Sequence, residues 1–294
     1  MEIRVLNYFL MVAREENITK AANLLHLTQP TLSRQMIQLE EELGVTLFHR
    51  SKHRIVLTED GMLLRRRATE IVALADKTKN DFQHRQERLS GTVAIGSGEL
   101  KSSRFLTRLI TDFQAENPLV TFAFYSGNSD NIKERIERGL LDAGLLQEPV
   151  DIAKYSFIHT PIREQWGVLV REDSGLAAKD SVSPEDLSGV PLIMPEREHV
   201  QNELLNWFGP YAESLHITAT GNLLYNLASL TRDSGSCVIT LNLDCIYEGL
   251  RFIPLAPGLD SGTVLVWKKT QAFSPAAAAF IDYSKKYISG IKEN

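Results

Sequence analysis

Apolar residues recur at helical spacing along the first 25 residues of the chain. The stretch 5–16 presents one continuous apolar face, which predicts an amphipathic helix. Thr19 follows a polar break and can serve as the N-cap of a second helix over residues 20–25. The front of the chain is therefore predicted to form two short helices that share an apolar core.

A third helix is predicted from Thr28 to Leu43. Thr28 can cap its N-terminus, and Pro30 falls in the first turn, where a missing N–H group costs little. Gly44 is suited to end the helix. The apolar stripe of this helix consists of Leu32, Met36, Leu39 and Leu43. Two short helices joined by a tight turn are typical of a helix-turn-helix motif.

The opposite face of the third helix is polar and holds no carboxylate before Glu40. Gln and Arg side chains can pair with purine edges in a DNA major groove, and Ser and Thr can bind bases or phosphates. The DNA-binding residues predicted on this helix are the cap Thr28 and the polar side chains Gln29, Thr31, Ser33, Arg34 and Gln38. The spacing alone does not separate this interpretation from a solvated polar face on an ordinary three-helix bundle.

Two short apolar segments, 47–50 and 55–57, flank a basic stretch and predict a β-hairpin. The tip of the hairpin carries the basic side chains Arg50, Lys52, His53 and Arg54. A basic loop beside a helix-turn-helix can bind phosphates or enter a minor groove. We favour this role over that of a solvated turn.

A longer helix is predicted from a cap at Thr58 to about Arg88, with acidic side chains in its first turn. Apolar positions repeat along it with an average period of about 3.5 residues, as in paired helices. The predicted dimerisation seam consists of Leu64, Ala68, Ile71, Ala75 and Phe82. Because the seam is short and contains two alanines, packing against its own chain is the alternative.

From Gly91 onward, short apolar strands alternate with helices. The predicted strands are 92–96, 119–125, 143–146, 166–170, 192–194, 238–241 and 263–267. Helices are predicted after residue 98, after the turn at 126–129, after Ser183-Pro184, within 199–208 and after Ser274-Pro275. An order of strand, helix, strand implies a parallel sheet with crossover helices.

Residues 21–50, AANLLHLTQPTLSRQMIQLEEELGVTLFHR, and LTEDG at 57–61 resemble the winged helix-turn-helix of LysR-type transcriptional regulators. The resemblance is dense over about residues 5–65. It implies that Gln29, Pro30, Ser33 and Arg34 face the major groove and that the basic wing touches the minor groove or the DNA backbone. It also implies a homodimer formed through the linker helix, with further pairing into a homotetramer.

The rest of the chain is similar to the effector-binding domain of the same family, which resembles two-lobed periplasmic solute-binding proteins. The similar segments are LLDAGLL, SPEDLSG and LVWKKTQAFSPAAAAFIDY. The implied fold class is mixed α/β, with a winged helix-turn-helix at 1–58, a linker helix at 59–90 and the two-lobed domain at 91–294. Lobe I covers about 91–161 and 266–294, and lobe II covers about 162–265.

Ligands of such α/β lobes bind at the carboxyl ends of strands, beside helix N-termini. The predicted effector-binding residues are Ser97, Gly98, Glu99, Leu100, Lys101, Gly127, Asn128, Ser129, Pro195, Glu196, Arg197, Asn222 and Thr240. Asn128 either caps a helix or turns its amide to the cleft, and the resemblance favours the cleft. Lys101 and Arg197 favour an anionic effector, whereas Glu99 and Glu196 oppose one, so the effector stays unidentified.

Composition and motifs exclude several classes of protein. The two cysteines cannot form a disulfide scaffold, and Cys237 lies in an apolar run that favours a structural role over a redox pair with Cys245. No spacing of His and Cys suits a metal site, and no phosphate-binding loop or nucleophile elbow is present. We therefore expect no metal, no cofactor and no enzymatic activity.

The formal net charge of the 294-residue chain is −5, although its first 90 residues carry a small basic excess. A basic front on an acidic body suits an anionic partner such as double-stranded DNA. No apolar run approaches the roughly 18 residues of a membrane span, so we expect a cytoplasmic protein. The sequence predicts a DNA-binding regulator controlled by a small molecule. The rival interpretation is a solute-binding or transferase-like α/β protein whose N-terminal helices serve only assembly.

Overall fold

The computed structural model describes residues 1–50, 55–83 and 89–292. The chain forms two compact units, Met1–Gln83 and His84–Asn294. The elements of the first unit are α1 (Ile3–Glu15), α2 (Ile18–Leu24), α3 (Gln29–Leu43), β1 (Phe48–Arg50), β2 (Ile55–Leu57) and α4 (Glu59–Gln83). No described helix is long and apolar enough to cross a membrane.

The first unit encloses a small apolar core beneath its polar surface. The buried side chains come from α1, α2, α3, the hairpin and α4, and they are Leu6, Phe9, Val12, Ala21, Ala22, Leu32, Met36, Leu39, Leu47, Phe48 and Ala68. Strands β1 and β2 pair antiparallel, as the hairpin prediction required. Tight packing of α4 against the hairpin requires Gly61, because a Cβ atom there would lie 2.2 Å from the carbonyl oxygen of Leu47.

The start of α2 differs from the prediction. Helix α2 begins at Ile18, and its N-cap is Asn17, whose side chain accepts a hydrogen bond from the backbone N–H of Lys20. Thr19 therefore lies inside the helix and does not cap it. Asn and Thr are both good caps, so the two positions could not be separated by residue type alone.

The second unit contains two mixed sheets. Its elements are β3 (Ser90–Ser97), α5 (Ser103–Glu116), β4 (Leu119–Ser126), α6 (Ser129–Glu137), β5 (Ala143–Gln147), β6 (Tyr155–His159), β7 (Glu164–Arg171), β8 (Pro191–Pro195), α7 (Glu198–Phe208), β9 (His216–Gly221), α8 (Leu224–Ser234), β10 (Cys237–Leu241), β11 (Leu250–Pro254), β12 (Asp260–Ser261), β13 (Thr263–Lys268) and α9 (Pro275–Lys292). Short 3₁₀ helices occur at Gly175–Ala178 and Gly209–Ser214.

The first lobe is built on a sheet with the strand order β4-β3-β5-β13-β6. Strand β3 pairs parallel with β4 and β5, which confirms the predicted crossover pattern. Strand β13 is antiparallel to both of its neighbours, so the sheet is mixed. The prediction returned the chain to this lobe at about residue 266, but β13 already begins at Thr263.

The second lobe is built on a sheet with the strand order β11-β7-β10-β8-β9, and β12 pairs with β7. The predicted helix after Ser183 is absent, because the segment there forms turns. The side chains of Ser183 and Asp186 each accept a hydrogen bond from the other residue's backbone N–H. Such a reciprocal pair has the form of a capping box, but turns rather than a helix follow it.

The chain crosses between the lobes twice, near Thr160 and near Thr263, and the two crossing segments lie next to each other. Thr160 donates a backbone hydrogen bond of 2.9 Å to the carbonyl oxygen of Thr263, and the hydroxyls of the two residues are also bonded. One apolar core runs from the first lobe into the second and includes Ile95, Leu145, Trp166 and Val168. The lobes are therefore joined by packed side chains as well as by the two chain crossings.

Candidate functional sites

The polar face of α3 is presented to solvent as the sequence predicted. The hydroxyl of Thr28 accepts a hydrogen bond from the backbone N–H of Thr31, so Thr28 is the N-cap, and Gly44 ends the helix with a positive φ of 68°. The exposed members of the predicted DNA-binding set are Thr28, Gln29, Pro30, Thr31, Arg34 and Gln38, whereas Ser33 is half-buried. Arg34 makes no ion pair with any residue that the structure describes.

The far end of α3 is tied to the hairpin by Glu40. One oxygen of its carboxylate accepts hydrogen bonds from the backbone N–H groups of Leu47, at 2.8 Å, and Phe48, at 3.2 Å. The Phe48 ring packs against Phe9 of α1 with centroids 5.3 Å apart. The hairpin is therefore anchored beside the polar face of α3, and the carboxylate of Glu40 serves as the anchor.

Much of the predicted wing tip lies outside the described residues. Those predicted positions are Lys52, His53 and Arg54, together with the side chain of Arg50. His49, one residue before Arg50, is exposed on β1. What the structure supplies here is the base of the wing, whose strands pair Phe48 with Leu57 and Arg50 with Ile55.

The predicted dimerisation seam on α4 is divided between two faces. Ala68 is 0% exposed in the core of its own unit, and Leu64 packs against that core. Ala68 is thus a correction to the predicted seam: it faces α1 and cannot also face a second chain. Ala75 is half-buried, and the side chain of Phe82 lies outside the described residues.

A different apolar stripe on α4 remains exposed. It contains Leu63, Ile71 and Leu74, which are 50%, 39% and 42% exposed. These positions, with Arg67 between them, follow the i, i+4, i+8, i+11 spacing of one helix face. Of the residues predicted in the seam, Ile71 is the one that lies on this stripe.

The second unit contains a cleft between its two lobes with an empty volume of about 510 Å³. Its lining includes eleven residues that the sequence predicted, namely Gly98, Glu99, Leu100, Gly127, Asn128, Ser129, Pro195, Glu196, Arg197, Asn222 and, in an adjoining part, Thr240. These residues come from the carboxyl ends of strands in both lobes. The sheet topology thus brings loops that are far apart in the sequence together at the cleft.

Two predicted site residues do not line the cleft. Ser97 is buried, and its hydroxyl is bonded to the hydroxyl of Ser103. Lys101 turns its ammonium group to the carboxylate of Asp244, 3.0 Å away. The N-terminus of α5 beside them is also occupied, because buried Glu164 accepts hydrogen bonds from the backbone N–H groups of Lys101 and Ser102.

Sequence reasoning missed several residues that line the cleft. They are Gln147, Trp166, Val200, Leu224, Leu227, Ile239, Leu241 and Leu243. Most are apolar residues of strands or of helices α7 and α8, and an apolar side chain in such an element gives no signal that distinguishes a cleft from a core. The side-chain nitrogen of Gln147 is buried without a hydrogen-bond partner in the described part of the chain.

Asn128 joins the two lobes and also caps a helix. Its side-chain oxygen accepts hydrogen bonds from the backbone N–H groups of Asp130 and Asn131 at the start of α6. Its side-chain nitrogen donates a 2.7 Å hydrogen bond to Glu196 of the second lobe. The sequence posed these two roles as alternatives, and the side chain performs both.

Glu99 makes a second polar contact across the cleft. Its carboxylate accepts a hydrogen bond from the backbone N–H of Leu224 at the start of α8. Leu223, the N-cap residue of α8, provides no capping side chain. A residue of the first lobe therefore caps a helix of the second, where a negative charge is favoured by the helix dipole.

Arg197 is the cation of the cleft wall, and its side chain is 6% exposed. Its guanidinium donates hydrogen bonds to the carbonyl oxygens of Gln147 and Pro149, and Asp130 lies 3.5 Å from its Nε atom. Burial lowers the pKa of Arg197, and the nearby Asp130 carboxylate opposes that shift. This guanidinium is therefore directed at the first lobe.

Family comparisons cover nearly the whole chain. The family model described as the LysR substrate binding domain matches residues 86–289. The model of the bacterial regulatory helix-turn-helix protein, lysR family, matches residues 3–62. The chain belongs to the LysR family of transcriptional regulators. It thus combines the DNA-binding and substrate-binding domains of that family, and the family resemblance in the sequence is confirmed.

A curated relative in the LysR family supports the same assignment. The HTH-type transcriptional regulator BsdA of Bacillus subtilis (strain 168) is 32% identical over 213 residues, which cover 71% of this chain and 72% of that protein. Such relatives are transcriptional regulators rather than enzymes.

Solved LysR-family structures share the fold. The crystal structure of CbnR, a LysR family transcriptional regulator, has a TM-score of 0.77 and 20% identity, covering 98% of this chain and 99% of that one. Full-length CbnR complexed with its target DNA has a TM-score of 0.75 and 20% identity, with coverage of 97% and 99%. The fold of the chain is therefore that of full-length LysR-family regulators.

Proposed function

We propose that this LysR-family regulator reads its operator with the exposed face of α3 and changes its DNA binding when a small molecule occupies the cleft of the second unit. The observation that carries the first part is a carboxylate-free row of exposed amide, hydroxyl and guanidinium groups, from Thr28 to Gln38. Such groups pair with base edges, while the basic wing supplies phosphate contacts.

The second part rests on the cleft itself. Polar contacts from Glu99, Asn128 and Arg197 cross from one lobe to the other. A ligand that prefers one arrangement of the lobes shifts the equilibrium between arrangements, whereas one that binds both equally shifts nothing. The effector-binding set is the lining named above, and the DNA-binding and effector-binding domains are 1–58 and 91–294, with 59–90 as the linker.

Assembly is part of the proposal. Two copies would pair along α4 through the exposed stripe of Leu63, Ile71 and Leu74, and further pairing would give a tetramer. Two reading heads related by a two-fold axis match a palindromic operator. The site of action would be the cytoplasm, where the regulator meets DNA and metabolites together.

The test uses the full chain and DNA from upstream of its own gene. Fluorescence anisotropy in the presence of competitor DNA measures operator binding, and thermal-shift screening identifies metabolites that stabilise the protein. We expect at least one stabilising metabolite to change operator affinity. An Asn222→Trp variant, which fills the cleft, should lose that response but still bind DNA. A response that survives this variant would place effector binding elsewhere.

A further inference from the structure

The charged side chains that line the cleft differ in how free they are to bind a ligand. Among the lining residues that the structure describes, Glu99, Glu196 and Arg197 carry a charge. The guanidinium of Arg197 is engaged by two carbonyl oxygens and lies 3.5 Å from Asp130. The nearby ammonium group of Lys101 is paired with Asp244. Each cation at this site therefore has a carboxylate partner, although the buried Nε of Arg197 makes no hydrogen bond within the described residues.

The two carboxylates keep unused acceptor atoms. Glu196 accepts the amide of Asn128 with Oε1, and Glu99 accepts the N–H of Leu224 with Oε2. Within the described part of the chain, the second oxygen of each carboxylate has no hydrogen-bond partner. Both side chains are exposed to the cleft. Each can therefore accept a further donor without breaking its present bond.

The remaining lining of the cleft is neutral and includes a group of apolar side chains. The adjoining part of the cleft is lined by Leu224, Leu227, Ile239 and Leu243, and Trp166 borders both parts. The buried, unpartnered side-chain nitrogen of Gln147 adds one polar group. An apolar lining with a few convergent polar groups is the usual construction of a small-molecule site.

We propose that the effector is a small organic cation, an amine, amidine or guanidine on an apolar body, held by Glu99 and Glu196. This inference rests on the proposed role of the cleft as the effector site, and the carboxylates decide only the charge of the ligand. An anion here would meet two carboxylates, whereas Arg197 and Lys101 already have the carboxylates of Asp130 and Asp244 beside them, so like-charge repulsion opposes its binding.

The mode of regulation follows from where the carboxylates are anchored. Glu99 belongs to the first lobe and Glu196 to the second, and each is bonded to the opposite lobe through Leu224 and Asn128. A cation bound between them would add attraction across the cleft and favour the closed arrangement. Its affinity for that arrangement would exceed its affinity for an opened one, as a shift of the equilibrium requires.

Matched probes of opposite charge test this proposal. Isothermal titration of the full chain with benzamidine, benzoate, butylamine and butyrate compares two apolar bodies, each with a cationic and an anionic head. We expect the cations to bind and the carboxylates not to bind. Glu99→Gln and Glu196→Gln should each weaken cation binding by about tenfold or more, the scale of one hydrogen bond to a charged group.

Control variants separate this inference from the proposed function. Glu172→Gln removes an exposed carboxylate that does not line the cleft, and it should leave cation affinity unchanged. Asn222→Trp should abolish binding of any probe that occupies the cleft. Benzoate or butyrate binding that is lost in Asn222→Trp would overturn the cationic class while leaving the cleft as the effector site. Absence of cation binding, or cation binding unaffected by either Gln substitution, would also overturn it.

Discussion

The side chain of Asn128 caps helix α6 with its oxygen and holds Glu196, in the other lobe, with its nitrogen at 2.7 Å. One residue thus caps a helix and supplies one of the polar contacts across the cleft. The cap and the contact with Glu196 depend on each other, because the amide can direct its nitrogen at Glu196 only while its oxygen faces the helix N-terminus.

Asn128 variants should separate the cap from the contact across the cleft. Asn128→Ala removes both, and we expect it to lower the free energy of unfolding by about 1 kcal/mol, the usual value of an N-cap. Asn128→Ser keeps a capping oxygen but cannot donate the amide hydrogen bond to Glu196, and it should retain most of that stability. Denaturant unfolding of the full chain, followed by tryptophan fluorescence, measures both. Equal stability of the Ala variant and the wild type would refute the cap.

Arg34 should contribute to operator specificity. Its side chain is exposed on the carboxylate-free face of α3. Arg34→Ala is expected to weaken specific DNA binding by about 1–3 kcal/mol, the scale of one good base contact. Anisotropy with operator and with scrambled DNA, at one fixed salt concentration, provides the measurement.

Arg34→Lys serves as the matched control. Lysine keeps the positive charge but loses the planar fork that pairs with guanine, so operator preference should fall while binding to scrambled DNA is retained. Because Arg34 is exposed, neither variant should change thermal stability. Wild-type operator affinity in Arg34→Ala, with the fold intact, would remove Arg34 from the DNA-binding set.

The sequence predicted most of what depends on local signals. Thr28, Pro30 and Gly44 mark the ends of α3 because caps, prolines and left-handed turns act within a few residues. Loops after apolar strands predicted most of the polar cleft lining for a similar reason. Turn residues follow the strand end, and parallel strands carry their ends to the same edge.

Contacts between distant residues explain what was missed. Helix α8 has no capping side chain of its own, and Glu99 supplies the cap from the other lobe. No local pattern could therefore mark its start. Strands β6, β9, β11 and β12 were also missed, because few of their side chains are buried and they lack the continuous buried apolar run of β5, β8 and β10. Ala68 was assigned to a dimer seam because periodicity shows that a face is apolar but not what covers it.

Ile71 should support self-association through the exposed stripe of α4. Ile71→Glu would bury a charge against the second copy, which is costly unless the charge is paired. We expect light scattering to show a smaller species than the wild type at the same concentration. Ala73→Glu places the same charge on an exposed position about half a turn away, and it should leave the mass unchanged. Equal masses for Ile71→Glu and wild type would exclude the stripe as the interface.

The two cysteines should differ sharply in reactivity. Cys237 is buried in β10, and burial raises the pKa of its thiol to about 12, whereas Cys245 is exposed. The thiolate is the reactive form. At pH 8 a thiol with that pKa is ionised in about one molecule in ten thousand, and its ionised fraction rises only as the pH approaches 12. We therefore expect a disulfide reagent to label one thiol rapidly in the native protein and both thiols after denaturation.

Single substitutions assign the two labelling phases. Cys245→Ser should remove the fast phase and leave the slow one, while Cys237→Ser should do the opposite. Both cysteines are free thiols in the structure, so prior treatment with a reductant should not change the count of fast-reacting thiols. Rapid labelling of two thiols in the native wild type would mean that β10 opens readily. In that case a redox pairing of the cysteines would regain support over the structural role assigned to Cys237.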